Sequence, residues 1–427
     1  MRPIFYDLTE LLYLSSGYKS FYGIAKVVAE GAREAFIAHK DVRFVAFSQS
    51  HNAFFEVFPA EDSSFDRGLN LNVPNAGIPF FTRRVMHKKN TVINALSSIV
   101  FPMLDSMERW KWKRSGAPFK KVDLSGGAFV SCARPKLMVH SITALQHHTD
   151  VTIHALLYDL IPLHETRHQS KAFPQSFLCD TNFVIRHADH IISISQFTAD
   201  DILRFSAEGI VEKPKKISVA PLVHEFSSNA QTGELTPPDT PYLLMVGTQT
   251  GRKNLNVVLE AIKTICQRGE TPPKLVLAGR RRQRTMDLLD TEEMSLVKPH
   301  VIQIDSPAQP DLERLYKGAL AVVLPSRVEG WGLPAAEALW FNVPPICADV
   351  DVLHEVCGNL ALYFEVDDSE ALADHICRLN NDSGYRSALS AKIRENRAQL
   401  RVWRDFGADL MDSVYSDMMT EDVKAVG

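Results

Sequence analysis

The chain has 427 residues, of which 45% are hydrophobic and 23% are charged, and its formal net charge is −4. At roughly 150 residues per domain, this length predicts two or three domains. The apolar fraction is typical of globular proteins and excludes wholesale disorder, and the near-neutral charge argues against a nucleic-acid-binding protein. With 21 glycines and 23 prolines, the composition also excludes collagen-like and low-complexity chains.

The cysteines and the N-terminal residues indicate the cellular compartment in which the protein is expected. The six cysteines form no C-x-x-C pair, so we predict neither a disulfide framework nor a zinc site. The opening stretch MRPIFYDLTELLYL carries Asp7 and Glu10 inside its apolar run, which makes a poor signal peptide. No charge-free apolar run reaches the roughly 18 residues of a transmembrane helix. We therefore expect a cytoplasmic protein, with peripheral contact to the inner face of the cell membrane left open.

Short β-rich apolar runs alternate with helical-looking segments along the chain. Several are nearly continuous, which is typical of strands that helices cover on both faces. This alternation predicts an α/β fold with parallel sheets and right-handed crossovers. The predicted strands are Pro3–Asp7, Val42–Phe47, Thr152–Leu160, His190–Ser195 and Lys216–Ala220, then Tyr242–Val246, Lys274–Ala278, Val301–Ile304, Ala321–Leu324 and Pro345–Ala348.

A polar, turn-rich stretch divides the chain. Residues 224–240 read HEFSSNAQTGELTPPDT, a composition typical of a linker. We predict a first domain over 1–223 and a second over 241–400, each the right size for one open α/β unit. Within the remaining 401–427, residues 401–421 show the apolar periodicity of an amphipathic helix.

The segment 80–121 is strongly basic. It holds ten Lys/Arg against two acids, with Trp110 and Trp112 among them. Such a segment suits an anionic lipid surface or an acidic acceptor. A solvated insertion with inward-packed aromatics explains it equally well, and the sequence leaves both open.

The loop after the strand LAVVL carries the first anion-site signal. It reads PSRVEGWGLPAAEAL over 325–339, with a helix start marked by Pro334. Gly330 and Gly332 leave backbone N–H groups uncovered, so a phosphate can approach the helix N-terminus. Glu329 and Glu337 flank this loop and offer acceptors for sugar or ribose hydroxyls. Each acid could equally be a solvated helix residue.

The loop after YLLMV carries the second signal. It reads VGTQTGRKN over 246–254, where Gly247 ends the strand and Thr248 follows. Arg252 and Lys253 stand just before a helix, and two cations there oppose its dipole, so an anion such as a diphosphate should compensate them. Arg280 opens the run RRRQR at the same edge of the sheet and could add to this positive field or remain solvated.

Together these motifs resemble the retaining, nucleotide-sugar-dependent glycosyltransferases of the GT-B architecture, of the family 4-like type that includes mannosyltransferases of polysaccharide assembly. The resemblance rests on Glu329 and Glu337 with GWGLP between them, and on VGTQTGRKN upstream. Weaker matches are DLERLY (311–316), PPICA (344–348) and the segment around Trp403. It covers 241–420 and is weaker in the first half, where YGIAKV (22–27), LYDLIPL (157–163) and SISQFTAD (193–200) match.

The resemblance implies two facing Rossmann-like domains with an interdomain cleft and a C-terminal helix that crosses back to the first domain. It implies a nucleoside-diphosphate sugar donor and a retaining transfer in which the departing phosphate helps deprotonate the acceptor, so we expect neither metal nor cofactor. The expected catalytic residues are Lys253, Arg252, Glu329 and Asp159. The expected donor-binding residues are Gly23, Gly247, Thr248, Arg280, Gly330, Trp331, Gly332, Leu333 and Glu337.

Two details qualify these expectations. Relatives often carry His-Asp where this chain has Tyr158-Asp159, which leaves Asp159 to orient the acceptor hydroxyl and His164 as a lesser option. Asp349 and Asp351 spell the D-x-D pattern of another glycosyltransferase architecture, and we interpret it as coincidence. No other cluster has metal-ligand spacing, and no P-loop is present.

The predicted function is therefore transfer of a sugar, with GDP-mannose as the best guess, to a hydroxyl of a glycan or lipid-linked acceptor in surface polysaccharide biosynthesis. We expect no nucleic-acid partner. Two alternatives stay open: a nucleotide-sugar epimerase or hydrolase of the same fold, and a non-enzymatic scaffold that binds nucleotide sugars.

Overall fold

The computed structural model describes residues 2–14, 23–39, 41–49, 51–58, 120–148, 150–164, 172–227, 234–247 and 251–426, with positions 103, 106, 107, 110 and 114. The basic segment 80–121 therefore lies almost wholly outside the described residues. None of the helices in the described part of the chain is both long enough and apolar enough to cross a membrane.

The first domain is built on a sheet with the strand order β4-β3-β2-β1-β5-β6-β7-β8. Strands β2, β1, β5, β6, β7 and β8 pair in parallel, whereas β3 runs antiparallel to both β2 and β4. The strands are β1 Ile4–Asp7, β2 Val42–Ser48, β3 Ala53–Val57, β4 Lys120–Val122, β5 Ala128–Ser131, β6 Thr152–Leu157, β7 His190–Ser193 and β8 Ile217–Val219.

Helices connect these strands and cover the sheet. Ser195 caps one of them, since its side chain accepts a hydrogen bond from the backbone N–H of Thr198. The helices of the first domain are α1 Thr9–Leu14, α2 Ile24–Ala38, α3 Pro135–Leu145, α4 Ile161–His164, α5 Ala172–His187 and α6 Gln196–Ala207.

The second domain has a fully parallel sheet of order β11-β10-β9-β12-β13-β14. This is the doubly wound order 3-2-1-4-5-6, in which the connections reverse direction between the first and fourth strands. The strands are β9 Tyr242–Val246, β10 Lys274–Ala278, β11 Val301–Ile304, β12 Ala321–Leu324, β13 Pro345–Ala348 and β14 Leu362–Phe364. The helices are α7 Leu255–Gln267, α8 Gln283–Leu289, α9 Gln309–Gly318, α10 Leu333–Trp340, α11 Asp351–Cys357, α12 Ser369–Asn381 and α13 Ser383–Glu395.

The last helix, α14 (Trp403–Val426), leaves the second domain and packs along α2 of the first. Gly407 makes this approach possible, because a Cβ there would lie 2.5 Å from the Cβ of Glu34. Trp403 and Phe406 are buried in an apolar cluster that also takes in Tyr6 of the first domain and Leu339 of the second. One apolar core therefore joins the two domains.

The predicted fold class, α/β with two Rossmann-like domains, is confirmed by these sheets. The five strands predicted in the second half have the observed bounds. Three strands of the first domain end earlier than predicted. β6 stops at Leu157, because Asp159 turns the chain by accepting from the N–H of Ile161; β7 stops at Ser193, because Ser195 already caps α6; and β8 stops at Val219. Strands β3, β4, β5 and β14 were not predicted. The edge strand β4 reads KKV, which is typical of a protected sheet edge.

Candidate functional site

The two predicted anion-binding loops meet where the second sheet reverses its winding. One follows β9 and the other follows β12, and these two strands are neighbours. Ligands of open α/β sheets bind at this position, outside the carboxyl ends of the strands. Gly247 begins the first loop at a φ of 103°, a conformation that favours glycine, and its N–H donates to the carbonyl of Ala278.

At the centre of the site two cations share one carboxylate. The Nζ of Lys253 lies 2.6 Å from Oε1 of Glu329, and a guanidinium nitrogen of Arg252 lies 2.9 Å from Oε2. A short 3₁₀ helix over Gly251–Lys253 presents both cations. Arg252 is further held by the carbonyl of Val328, to which its guanidinium donates at 2.9 Å. The structure thus brings together three of the four predicted catalytic residues.

The two cations decide the ionisation of Glu329. Burial alone would raise the pKa of this carboxyl, but the charges of Lys253 and Arg252 outweigh burial and lower its pKa to about 2. Glu329 is therefore a carboxylate at neutral pH. Two positive charges face one negative charge at this carboxylate, and Asp159, once ionised, adds a second negative charge from the first domain.

Asn254 fixes the backbone between the cations and α7, and it was not singled out by the sequence. Its φ of 49° is left-handed, which asparagine tolerates better than most residues. Its side chain donates to the carbonyl of Val366 at 2.7 Å and accepts from Arg327 at 3.1 Å. Asn254 is thus a buried, hydrogen-bonded anchor for the turn that carries Arg252 and Lys253.

The second loop leads into α10. Gly332 precedes the helix at a φ of 95°, and a Cβ there would lie 2.6 Å from Leu353. Trp331 is buried, and its indole N–H donates to the carbonyl of Val223 at 3.0 Å, whereas Leu333 packs against the shared apolar core. Trp331 and Leu333 thus hold the loop against the first domain, and their contact with a donor stays a prediction.

At Gly330 the backbones of the two domains approach each other closely. A Cβ at this position would lie 2.4 Å from the carbonyl oxygen of Tyr158 and 3.0 Å from the Cβ of Asp159. The carbonyl of Gly330 accepts from the hydroxyl of Ser195 at 2.8 Å. Only a residue without a side chain allows this contact, so the glycine serves domain contact as well as backbone exposure.

Asp159 faces the cluster from the first domain. Burial raises its pKa to about 6, and Glu329 adds to that rise, whereas the N–H of Ile161 and the charge of Arg252 oppose it. The charges of Arg252 and Glu329 reach Asp159, so all four predicted catalytic residues belong to one electrostatic group.

Glu337 lies on α10 and is buried. Its Oε2 accepts from the hydroxyl of Tyr316 at 2.7 Å, and its Oε1 lies 3.8 Å from the Nζ of Lys26 on α2. Burial raises the pKa of Glu337. The Nζ of Lys26 makes no hydrogen bond and lies 4.7 Å from the ring centroid of Phe226. Neither the interdomain pair of Glu337 and Lys26 nor the hydrogen bond from Tyr316 could be predicted, because nothing in the sequence places these residues together.

The other predicted residues lie around this centre. Gly23 caps α2 at a φ of 55° with open space where a Cβ would stand. Arg280 follows β10 and is exposed at the same edge of the sheet. Thr248 lies outside the described residues. Nε2 of His164 lies 2.5 Å from Oδ2 of Asp201, and Asp349 of the D-x-D pattern forms a hydrogen bond with His354.

Four further hydrogen bonds connect distant parts of the chain, and the sequence did not predict them. The carboxylate of Glu355 accepts from the backbone N–H groups of Gln196 and Phe197 at 2.7 and 2.9 Å, at the start of α6. The Nε2 of His224 contacts the carbonyl of Val356 at 2.9 Å, while its Nδ1 accepts from the N–H of Arg401. Such pairings depend on the packing of two domains, so spacing along the chain cannot reveal them.

Comparison with known proteins agrees with this geometry. Residues 228–396 match the family model described as "Glycosyl transferases group 1". The matched residues cover most of the second domain, and Lys253, Glu329 and Glu337 all fall inside them.

Among curated proteins, the chain is similar to the O-antigen chain mannosyltransferase B of Escherichia coli, with 30% identity over 151 residues that cover 35% of this chain and 40% of that protein. It is also similar to the O-antigen chain mannosyltransferase RfbU of Salmonella typhimurium, with 28% identity over 258 residues that cover 57% and 66% of the two chains. The chain thus spans less than two thirds of the length of these relatives.

Solved structures share the fold. The sucrose-phosphate synthase of Thermosynechococcus elongatus aligns with a TM-score of 0.62 and 16% identity over 99% of this chain and all of that one. Anabaena HepE in complex with UDP aligns with a TM-score of 0.54 and 14% identity over 97% of this chain and all of that one. At these identities the likeness shows the GT-B fold. The residues that match the group 1 family model lie in its second domain.

Proposed function

We propose that the protein is a glycosyltransferase that takes its sugar from a nucleoside-diphosphate sugar. One observation carries this proposal: Arg252 and Lys253 converge on the single buried carboxylate of Glu329 beside the N-terminus of α10. The two cations stand at the end of a parallel sheet beside the N-terminus of α10, a setting in which proteins bind phosphate groups. The group 1 family match supports the same activity.

The proposed chemistry uses those charges. The bond between the anomeric carbon and the diphosphate breaks, the acceptor oxygen bonds to that carbon from the same face, and the acceptor proton passes to the departing phosphate oxygen. Arg252 and Lys253 stabilise the negative charge that grows on the diphosphate, and Glu329 orients the sugar. Pre-placed groups of this kind contribute roughly 3–4 kcal/mol each, or 10²–10³ in rate.

Asp159 serves the acceptor in this proposal. It lies on the first domain and is close enough to Arg252 and Glu329 for their charges to shift its pKa. As a carboxylate it would orient the acceptor hydroxyl toward the anomeric carbon. Because the phosphate takes the proton, the reaction needs neither a metal nor a strong protein base, and both absences stay predictions.

The best-supported donor is GDP-mannose and the best-supported acceptor is an O-antigen-type glycan, free or lipid-linked. Two curated relatives are named O-antigen chain mannosyltransferases, which favours this pair. HepE was solved with UDP-glucose, so a UDP-sugar is the alternative donor. The cytoplasmic location and the membrane contact of residues 80–121 stay predictions.

A two-step experiment tests the proposal. A thermal-shift series with GDP, UDP and dTDP identifies the base, and we expect one diphosphate to raise Tm by several degrees. Transfer to a mannan-type oligosaccharide is then followed with the matching donor sugar, with the chemical shift of the anomeric proton reporting retention. Binding without transfer would favour a scaffold, and rapid turnover of donor without acceptor would favour an epimerase or hydrolase. Absence of binding to all three nucleotides would refute the proposal.

A further inference from the structure

A cluster of metal-binding side chains lies in the first domain, away from the site described above. His154 is the third residue of β6 and His190 the first of β7, and the two are register partners in adjacent strands. Asp417, on the returning helix α14, places its carboxylate against both rings. One potential ligand atom from each residue lies within 4.8 Å of the other two.

The histidines are buried, and one of them is without a hydrogen-bond partner. His154 and His190 are 0% and 1% exposed; neither ring nitrogen of His154 makes a hydrogen bond, whereas Nδ1 of His190 lies 2.7 Å from Oδ2 of Asp417. Leaving a buried polar group unpaired costs roughly 1–3 kcal/mol. A bound ion that accepts a lone pair from His154 would remove that cost, and the second imidazole and the carboxylate beside it would supply two further ligands.

The distances suit a small divalent transition-metal ion. Oδ2 of Asp417 lies 2.7 Å from Nδ1 of His190 and 3.6 Å from Nδ1 of His154. With metal–ligand bonds of about 2.0–2.2 Å, tetrahedral ligand atoms stand roughly 3.3 Å apart. The shorter distance must therefore open by about 0.6 Å and the longer one close by about 0.3 Å, and a water molecule must supply the fourth ligand. Two imidazoles and one carboxylate are a ligand set that zinc accepts.

Lys216 bears on the charge balance of the site. Its ammonium group pairs with Oδ1 of Asp417, the oxygen turned away from the histidines, and its side chain is 46% exposed. A lysine in that position orients the carboxylate, as groups behind metal ligands do. It also repels a cation, and it is exposed enough to release the carboxylate to solvent. Lys216 should therefore weaken metal binding without preventing it.

We propose that His154, His190 and Asp417 bind a Zn²⁺-class ion that fastens the C-terminal helix to the sheet of the first domain. The site is structural: the histidines lie toward the amino ends of their strands, whereas the catalytic group lies beyond the carboxyl ends. The proposal is independent of the sugar-transfer chemistry. This site could not be predicted from the sequence, because its three residues are far apart along the chain and meet only through α14.

The experiment measures zinc in the untagged full-length protein. We expect about one Zn²⁺ per chain after gel filtration, loss of the metal on treatment with a chelator, and a fall in Tm of at least about 4 °C that Zn²⁺ restores. Co²⁺ should give the visible spectrum of a tetrahedral site with nitrogen and oxygen ligands. Zinc below a tenth of an equivalent, with no response of Tm to Zn²⁺, would overturn the proposal.

Variants separate this site from the other histidines, of which the chain has 15 in total. Asp417→Asn should weaken zinc binding at least tenfold, and the control Asp412→Asn, at an exposed position of the same helix, should bind as wild type. Lys216→Met should bind zinc at least as tightly as wild type. Equal binding by both Asn variants would mean that zinc sits elsewhere and would overturn the assignment. Sugar transfer measured below every Tm should be unchanged, which keeps this test distinct from that of the proposed function.

Discussion

Replacing Lys253 by methionine tests the central charge cluster. The substitution keeps most of the side-chain volume and removes the ammonium group that lies 2.6 Å from Glu329. If Lys253 stabilises the departing diphosphate, kcat/KM should fall by 10²–10³, since one pre-placed charge contributes roughly 3–4 kcal/mol to such a transition state. Both kcat and kcat/KM should fall, because the interaction strengthens as charge develops on the phosphate.

The same substitution has a calculable effect on folding. The pKa of Glu329 is lowered from 4.5 to about 2, a difference that corresponds to about 3 kcal/mol of stability. Because the pKa is lower in the folded state, this stability is present above pH 4.5 and is lost as the pH falls toward 2. Lys253 is one of two cations that produce it, so its removal should cost about 1–2 kcal/mol at pH 7, or a fall in Tm of roughly 3–8 °C.

The assay must separate these two effects. Transfer rates are measured at saturating acceptor, at least 15 °C below the Tm of the variant, so that both proteins are folded. Lys263→Met is the matched control, because Lys263 lies in the same domain and pairs with Glu260 on the surface of α7. Wild-type turnover by Lys253→Met would refute the diphosphate role. A loss of turnover shared with Lys263→Met would show that the effect is not specific to the site.

Three further predictions concern the walls of the cleft. Glu337→Gln should raise the KM for the donor about tenfold with little change in kcat, and a change in Tm alone would contradict a ribose contact. Because burial raises the pKa of Asp159 to about 6, wild-type kcat/KM should fall as the pH drops through 6, and Asp159→Asn should lack that limb. A pKa raised in the folded state also costs stability above its unfolded value, so this variant should have a higher Tm than wild type at pH 8. Gly330→Ala should lower kcat about 10²-fold, because its methyl group would collide with the carbonyl of Tyr158, while calorimetry should show nearly unchanged donor affinity.

Much of the second domain could be predicted from sequence because its signals are local. A buried parallel strand is a short apolar run, and the turn that ends it often contains a glycine. Tyr242–Val246 followed by Gly247 can therefore be predicted without any knowledge of packing. The two cations and Glu329 were found for the same reason. Each belongs to a turn that follows a strand, and parallel strands bring such turns to one edge of the sheet.

What the sequence could not predict depends on contacts between distant segments. Trp331 sits in a motif typical of a ligand loop, but whether its indole faces a ligand or Val223 is decided by the first domain. Glu337 could not be assigned a buried partner before α9 placed Tyr316 beside it. The cluster of His154, His190 and Asp417 could not be predicted, because Asp417 comes from the other end of the chain.

The return of α14 to α2 has a consequence for how this protein is made. Roughly 360 residues separate the two helices, and at about 5–20 residues per second the ribosome needs roughly 20–70 s to synthesise them. During that time the apolar face of α2 waits for Trp403 and Phe406. The first domain is therefore synthesised first, but its packing is completed last, when α14 arrives. Nascent chains stalled before α14 should be the species that chaperones bind.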